Sequence, residues 1–293
     1  MSAALSRPHP GRLAALLALA MIAFAANSVL NRIAVAGGTD PVAFGAVRLI
    51  SGALLLMVLV RARAPLIAPG RTRGVLTLSL YVFGFSLAYA ALDAGLGALI
   101  LFGCVQITMF AGALLARQPV PRLHWLGAAI ALLGLAVLLW PSGAAAPSLP
   151  HALSMAAAGL GWGLYSLAGR RAANPLPETA ANFALAAPPA LLLWLLLSPG
   201  IDPAGAVLAA LSGALASGLG YALWYTLLPR LAATTAGVAQ LTVPVIATAG
   251  GALLLSEPVT ARFALAALLV LGGLALSLRK PQGRGGRPSQ TSG

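Results

Sequence analysis

Apolar residues run through this chain in long stretches, each closed by a short cluster of turn-forming or charged residues. A helix that crosses a bilayer needs about 20 consecutive apolar residues. On that measure the pattern predicts ten spans, at about 13–34, 42–60, 74–92, 97–116, 123–140, 151–169, 179–198, 205–228, 234–255 and 261–278. The breaks carry turn chemistry: "AGGTDP" after the first span, "ARAPLIAPGRTR" after the second, "PSGAAAPSLP" after the fifth, "NPLP" after the sixth and "SPGIDP" after the seventh.

Composition narrows the class. Of 293 residues 60% are hydrophobic and 8% charged, whereas soluble domains average about 45–50% apolar and roughly 25% charged. A soluble enzyme is excluded, and so is a disordered chain, which would be poor in hydrophobes and rich in charge. The net charge of +13 could suggest nucleic acid, but the arginines lie in short clusters between apolar runs, as the positive-inside rule expects of cytoplasmic loops. With the N-terminus inside, all but three of the 18 lysines and arginines fall on the cytoplasmic side. The exceptions are Arg32 and Arg48 within spans and Arg262 opposite. Both termini are therefore expected inside, with 279–293 a disordered basic tail. Arg7, Arg12, the apolar stretch from Leu13 and "AFA" at 23–25 imitate a secretory signal peptide. The repeat described next includes this segment, so it is read as a retained first helix.

Two halves repeat. "RQPVPRLHWLGAAIALLGLAVLL" after the fourth span aligns with "SEPVTARFALAALLVLGGLALSL" after the ninth. "FAANSVLNR" at 24–32 matches "WGLYSLAGR" at 162–170, and "GFSLAYAAL" at 84–92 matches "GYALWYTLL" at 220–228. The expected units are 13–140 and 151–278, five spans each. Five is odd, so the second copy must stand inverted in the membrane. The expected fold is all-α and polytopic, with ten transmembrane helices in two inverted five-helix repeats. Such repeats typify secondary transporters, which rock one half against the other around a midplane site.

The segments "FAANSVLNRIAV", "DPVAFGAVRLISGALLL" and "SEPVTARFALAALLVLGG" resemble the drug/metabolite transporter superfamily, EamA type, over about 13–279. Within it the chain is most similar to amino-acid exporters of the YddG kind. The chain departs from the family at Phe24 and Ala25, where tryptophan and glycine are common, at Gln118 for a glutamate, and at Val105 for a proline. The resemblance implies a ten-helix exporter of the cell inner membrane, with an arginine at the position of Arg48.

Several intramembrane side chains could carry the chemistry. Arg48, well inside the second span, reads either as a carboxylate-recognising or gating cation or as a structural charge that snorkels or bonds helix-end carbonyls. Arg32 lies nearer the outer boundary and reads as structural. Asn27, Ser28 and Asn31 share one side of the first span, and the sixth span carries Trp162, Tyr165 and Ser166 at matching depth. Polar groups there either glue helices together or line a path. The third span bears an aromatic stripe of Tyr81, Phe85 and Tyr89, and the eighth has Tyr221, Trp224 and Tyr225, which belts and core packing would also explain. Gln106 and Gln240 are amides within the fourth and ninth spans, and Pro244 is expected to interrupt the ninth. The candidate substrate-binding set is thus Asn27, Asn31, Tyr81, Tyr89, Gln106, Trp162, Tyr165, Ser166 and Gln240, with Arg48 as a gating or structural charge.

Absences inform too. Asp40, Asp93, Glu178, Asp202 and Glu257 all fall at span ends or in loops, so no intramembrane acid offers a proton or sodium relay. Uniport or exchange is the simpler expectation. Cys104, His9, His124 and His151 make no metal-ligand spacing, and no cofactor is expected. A mixed cavity without a fixed acid suits amino acids, aromatic and other neutral ones. The rivals are multidrug efflux of organic cations, which wants an intramembrane glutamate, and a lipid-modifying enzyme, which wants a nucleophile or metal cluster. A scaffold that only binds partners completes the set. The expected partners are the bilayer and a small-molecule substrate, without nucleic acid. A monomer is favoured, although Gly127, Ala131, Gly134, Gly272 and Gly273 suit close packing either within the chain or across a dimer.

Overall fold

The computed structural model describes residues 10–117, 122–140, 147–169, 172–197, 200–227 and 239–277. Among these the regular elements are ten helices: α1 (Pro10–Ala36), α2 (Pro41–Leu59), α3 (Arg71–Ala88), α4 (Ala94–Leu115), α5 (Arg122–Leu139), α6 (Leu149–Gly169), α7 (Pro175–Leu197), α8 (Pro203–Leu227), α9 (Thr242–Leu255) and α10 (Ala261–Ser277). Among the described residues there is no strand. Five of the helices, α1, α2, α4, α7 and α8, are long and apolar enough to cross a membrane. The tail 279–293, Gln118 and the expected start of the ninth span lie outside the described residues.

Helix ends follow local chemistry. Asp40 and Asp202 sit in extended conformation just before a proline, and their carboxylates accept backbone N–H bonds, from Val42 and Ala43 in one case and Gly205 in the other. An aspartate cap followed by proline at the first helical position is a strong start signal. The third span ends at Ala88, earlier than expected. There Ala90 and Ala91 donate to Leu87 and Ala88 in tight turns, and Asp93 returns to extended backbone before α4. Helical residues 239–240 give way to a turn at Leu241, and α9 starts afresh at Thr242 with Pro244 in its first turn. The ninth span is thus interrupted beside Pro244, where a missing N–H costs little.

The helices α2 and α7, α3 and α6, α4 and α6, α5 and α10, and α1 with α8 and α9 are packed partners. Most of the interior therefore lies between the first five helices and the last five. The small residues of α5 and α10 meet each other: a side chain at Gly273 would strike the Gly127 carbonyl, and one at Gly134 would strike Val270. Their close packing is within the chain, except at Gly272, where a side chain would meet nothing. Large aliphatic side chains such as Leu54, Val58, Leu195, Leu196, Leu253 and Leu268 face outward. An exposed apolar surface of that extent is what a lipid-facing bundle presents.

Candidate substrate-binding site

Arg48 stands seven residues into α2, about 10 Å along its axis, and has no exposed surface. Its Nε donates to Ser217 Oγ at 3.1 Å and its Nη2 to Tyr81 Oη at 2.8 Å. Its Cζ lies 5.0 Å from the ring centres of both Tyr81 and Phe85. The Ser217 hydroxyl in turn donates to Asn27 Oδ1 at 3.3 Å, and Ser212 donates to the same oxygen at 2.7 Å. This chain of bonds joins α2, α8 and α1. It depends on a π-helical stretch, Ser212–Leu219, inside α8, a wider turn that often marks functional positions. Close approach demands glycine at Gly213, because a Cβ there would overlap Ser51 Oγ and the Arg48 carbonyl.

Aromatic rings surround this network. Trp162 stacks on Tyr221 at 5.1 Å and on Tyr165 at 5.8 Å, and lies 5.0 Å from Tyr81. Phe24 meets Tyr221 and Trp224 edge-on, both at 5.8 Å. Between them is a cavity of about 20 Å³ lined by Phe24, Asn27, Ser28, Tyr81, Phe85, Leu101, Phe102, Trp162 and Tyr221. That holds about one water, against roughly 300 Å³ or more for a small-ligand site. The centre is closed. A larger hollow, about 100 Å³, opens beside Asp93, Glu257 and Arg262, but it touches none of the rings.

An ion-paired layer caps each end of α3. At its C-terminal end Arg32 pairs with Glu257 at 2.9 Å and Asp93 at 3.4 Å, and donates to the Tyr89 carbonyl. The other Glu257 oxygen accepts the Ala94 N–H that opens α4. At its N-terminal end Arg71 pairs with Glu178 at 2.9 Å and donates to Asn182 Oδ1 at 2.7 Å. Asn182 Nδ2 donates to Tyr165, whose hydroxyl donates to Thr179. The two layers stand roughly 25 Å apart by helical rise. Outside the spans, Asp202 also accepts from Thr39 Oγ1 at 2.7 Å. The Gly205 amide first, and this hydroxyl second, hold its carboxyl below the usual range.

Of the sequence candidates, Asn27, Tyr81 and Trp162 lie on the cavity wall. Tyr165 stacks behind Trp162 and bonds toward the Arg71 layer. Asn31 is buried and donates to Ser86. Tyr89 is buried at the Arg32 end, its hydroxyl donating to the Ala94 carbonyl. Gln106, Ser166 and Gln240 are half-buried and off the wall. Phe24, Phe102, Ser212, Ser217 and Tyr221 join the centre from outside the candidate set. Among the described residues no three His, Cys, Asp or Glu side chains gather as metal ligands would.

A bundle of apolar, outward-leucine helices with layered polar contacts inside is a multi-pass membrane protein. The chain belongs to the EamA-like transporter family, which matches residues 149–279. The uncharacterized protein PA1977 of Pseudomonas aeruginosa is 49% identical over 274 residues, 92% of this chain and 95% of that one. A solved crystal structure is similar with a TM-score of 0.63 at 22% identity, over 89% of this chain and 97% of that chain. At that identity the likeness is one of fold.

Proposed function

We propose that this membrane transporter is a secondary carrier of the cell inner membrane that exports small zwitterionic metabolites, chiefly aromatic and other neutral amino acids. Two inverted five-helix halves alternate about the Arg48 layer, and both termini are cytoplasmic. The observation that carries the reading is the position of that layer. A closed aromatic and hydroxyl-lined centre lies between two ion-paired layers, and each of these joins the halves: Arg32 to Glu257, Arg71 to Glu178. Opening one while the other holds would expose the centre to one side at a time, as alternating access requires.

Helix packing supports a five-plus-five repeat, and five helices per half, being odd, would invert the second copy. Exchanging each helix with the one five later turns the α3–α6 contact into α8–α1 and α4–α6 into α9–α1, and both pairs are present. It leaves α2–α7, α4–α9 and α5–α10 unchanged. The charge pattern of the loops supports the orientation. Export of organic cations is less well supported, because all five acids of the chain sit at helix ends or in loops and none reaches the central layer.

Reconstitution into liposomes tests the proposal. Radiolabelled tryptophan, tyrosine and leucine should show saturable flux down their gradients, inhibited by one another. A protonophore should change the initial rate by less than about twofold, since no intramembrane acid serves as relay. Absence of saturable amino-acid flux, with saturable flux of an organic cation, would overturn it.

A further inference from the structure

Arg48 is a buried cation that no carboxylate neutralises among the described residues. The sequence holds only five acids, and each is engaged elsewhere. Asp40 caps α2 and Asp202 caps α8. Asp93 and Glu257 pair with Arg32, and Glu178 with Arg71. Two hydroxyls accept from the Arg48 guanidinium, two ring faces flank it, and the Tyr221 side chain lies beside it. Of its five N–H donors the two on Nη1 have no partner, and the Tyr221 hydroxyl, also buried, has none. Tyr221 lines the cavity, as do Tyr81 and Phe85, which hold the guanidinium, and it lies within electrostatic reach of that charge.

Burying a charge without a counter-ion is costly, and arginine is the side chain best shaped to bind a carboxylate at two points. We infer that Arg48 and Tyr221 recognise the carboxylate of the substrate, and that the substrate's ammonium is dispensable. One carboxylate oxygen would accept from Nη1 and the other from the Tyr221 hydroxyl, so both orphan donors find acceptors. The layer offers an ammonium little in return. Asn27 Oδ1 already accepts from two serines, no carboxylate of the described residues reaches the layer, and the guanidinium would repel a second cation. A phosphate would bring more negative charge than one guanidinium neutralises. The ligand class is thus a monocarboxylate with a flat apolar body fitting among Phe24, Trp162 and Tyr221. This rests on the reading of the layer as the substrate site.

The test uses the purified full-length protein and three probes with one ring system: tryptophan, indole-3-propionate and tryptamine. Direct binding is measured by calorimetry, and flux by counterflow in liposomes. Indole-3-propionate should bind at least as tightly as tryptophan, and tryptamine at least tenfold more weakly. Arg48→Gln should lose more than tenfold for both carboxylates. Should that variant not fold, Tyr221→Phe keeps the ring and should weaken indole-3-propionate several-fold while leaving tryptamine unchanged. Tryptamine binding as tightly as tryptophan, or unaltered indole-3-propionate binding in Tyr221→Phe, overturns the inference. Binding of tryptophan without indole-3-propionate also overturns it, by showing that the ammonium is needed, and leaves amino-acid transport standing. If none of the three binds or moves, both readings fall.

Discussion

Arg48 at the centre of the bundle and Arg32 and Arg71 at its ends are the same side chain in opposite surroundings. Arg32 has two carboxylates and Arg71 one, so each end charge is balanced within the chain, although Arg71 Nε makes no hydrogen bond. The central one has hydroxyls and ring faces but no acid. Self-sufficient pairs suit contacts that hold two halves together and can be remade after opening. An incomplete set suits a place that something else completes. Packing is close in both places: a side chain at Gly213 would overlap the Arg48 carbonyl and one at Gly251 would strike Glu257, whereas a side chain at Gly200, outside all three layers, would meet nothing.

That contrast can be broken most severely at Gly213. Gly213→Val should abolish the monodisperse peak in detergent, because the added carbons enter the Arg48 backbone; Gly200→Ala should leave the elution profile unchanged. Next are the end layers, which are not equal. The Glu257 side chain is 10% exposed with two partners, and Glu178 is 36% exposed. Glu257→Gln should cost roughly 1–3 kcal/mol of stability, as loss of charged hydrogen bonds does, and Glu178→Gln less than about 1 kcal/mol. Thermal unfolding of the two variants side by side checks the order.

A smaller effect is expected on the aromatic wall. Trp162→Ala removes rings stacked on Tyr165 and Tyr221, a contribution on the order of 1 kcal/mol. Half-saturation for amino-acid flux should rise several-fold and side-chain preference should shift, with folded yield little changed. Loss of the folded peak instead would make Trp162 core packing. The smallest effect belongs to Asp202. Its carboxyl titrates lower in the folded state than in the unfolded chain, so the unfolded state binds the proton first as pH falls. Its contribution is full above the ordinary carboxylate value of about 3.9 and is lost as pH drops through the lowered folded value. Asp202→Asn should flatten that part of the stability curve, read as melting temperature between about pH 2 and 4.5.

The helices are legible in the sequence because each apolar run is long enough to name itself, and Asp-Pro at 40–41 and 202–203 marks two starts by local chemistry. The end of α3 is not, since Tyr89 to Leu92 are as apolar as the helix before them. Within the site, Asn27, Tyr81 and Trp162 stand out as large polar or aromatic groups in apolar runs. Ser212 and Ser217 do not, because "SGALASG" reads as small-residue packing until the π-helical turn aims both hydroxyls at Asn27. By sequence alone Arg32 reads as a structural charge and Glu257 as a loop acid. Their pairing spans 225 positions in sequence, and no local rule reaches that far. Arg71 and Glu178 are hidden for the same reason.

The measurement closest to the centre of the matter is the reach of water-soluble reagents to the Arg48 layer. Ser217→Cys, in a Cys104→Ala background and reconstituted in liposomes, should react with a membrane-impermeant methanethiosulfonate added to either side. A negatively charged reagent should react faster than a positively charged one, and saturating tryptophan should slow both several-fold. If the thiol introduced at position 217 stays unreactive from both sides while the liposomes transport amino acids, the substrate path bypasses this layer and the account is contradicted.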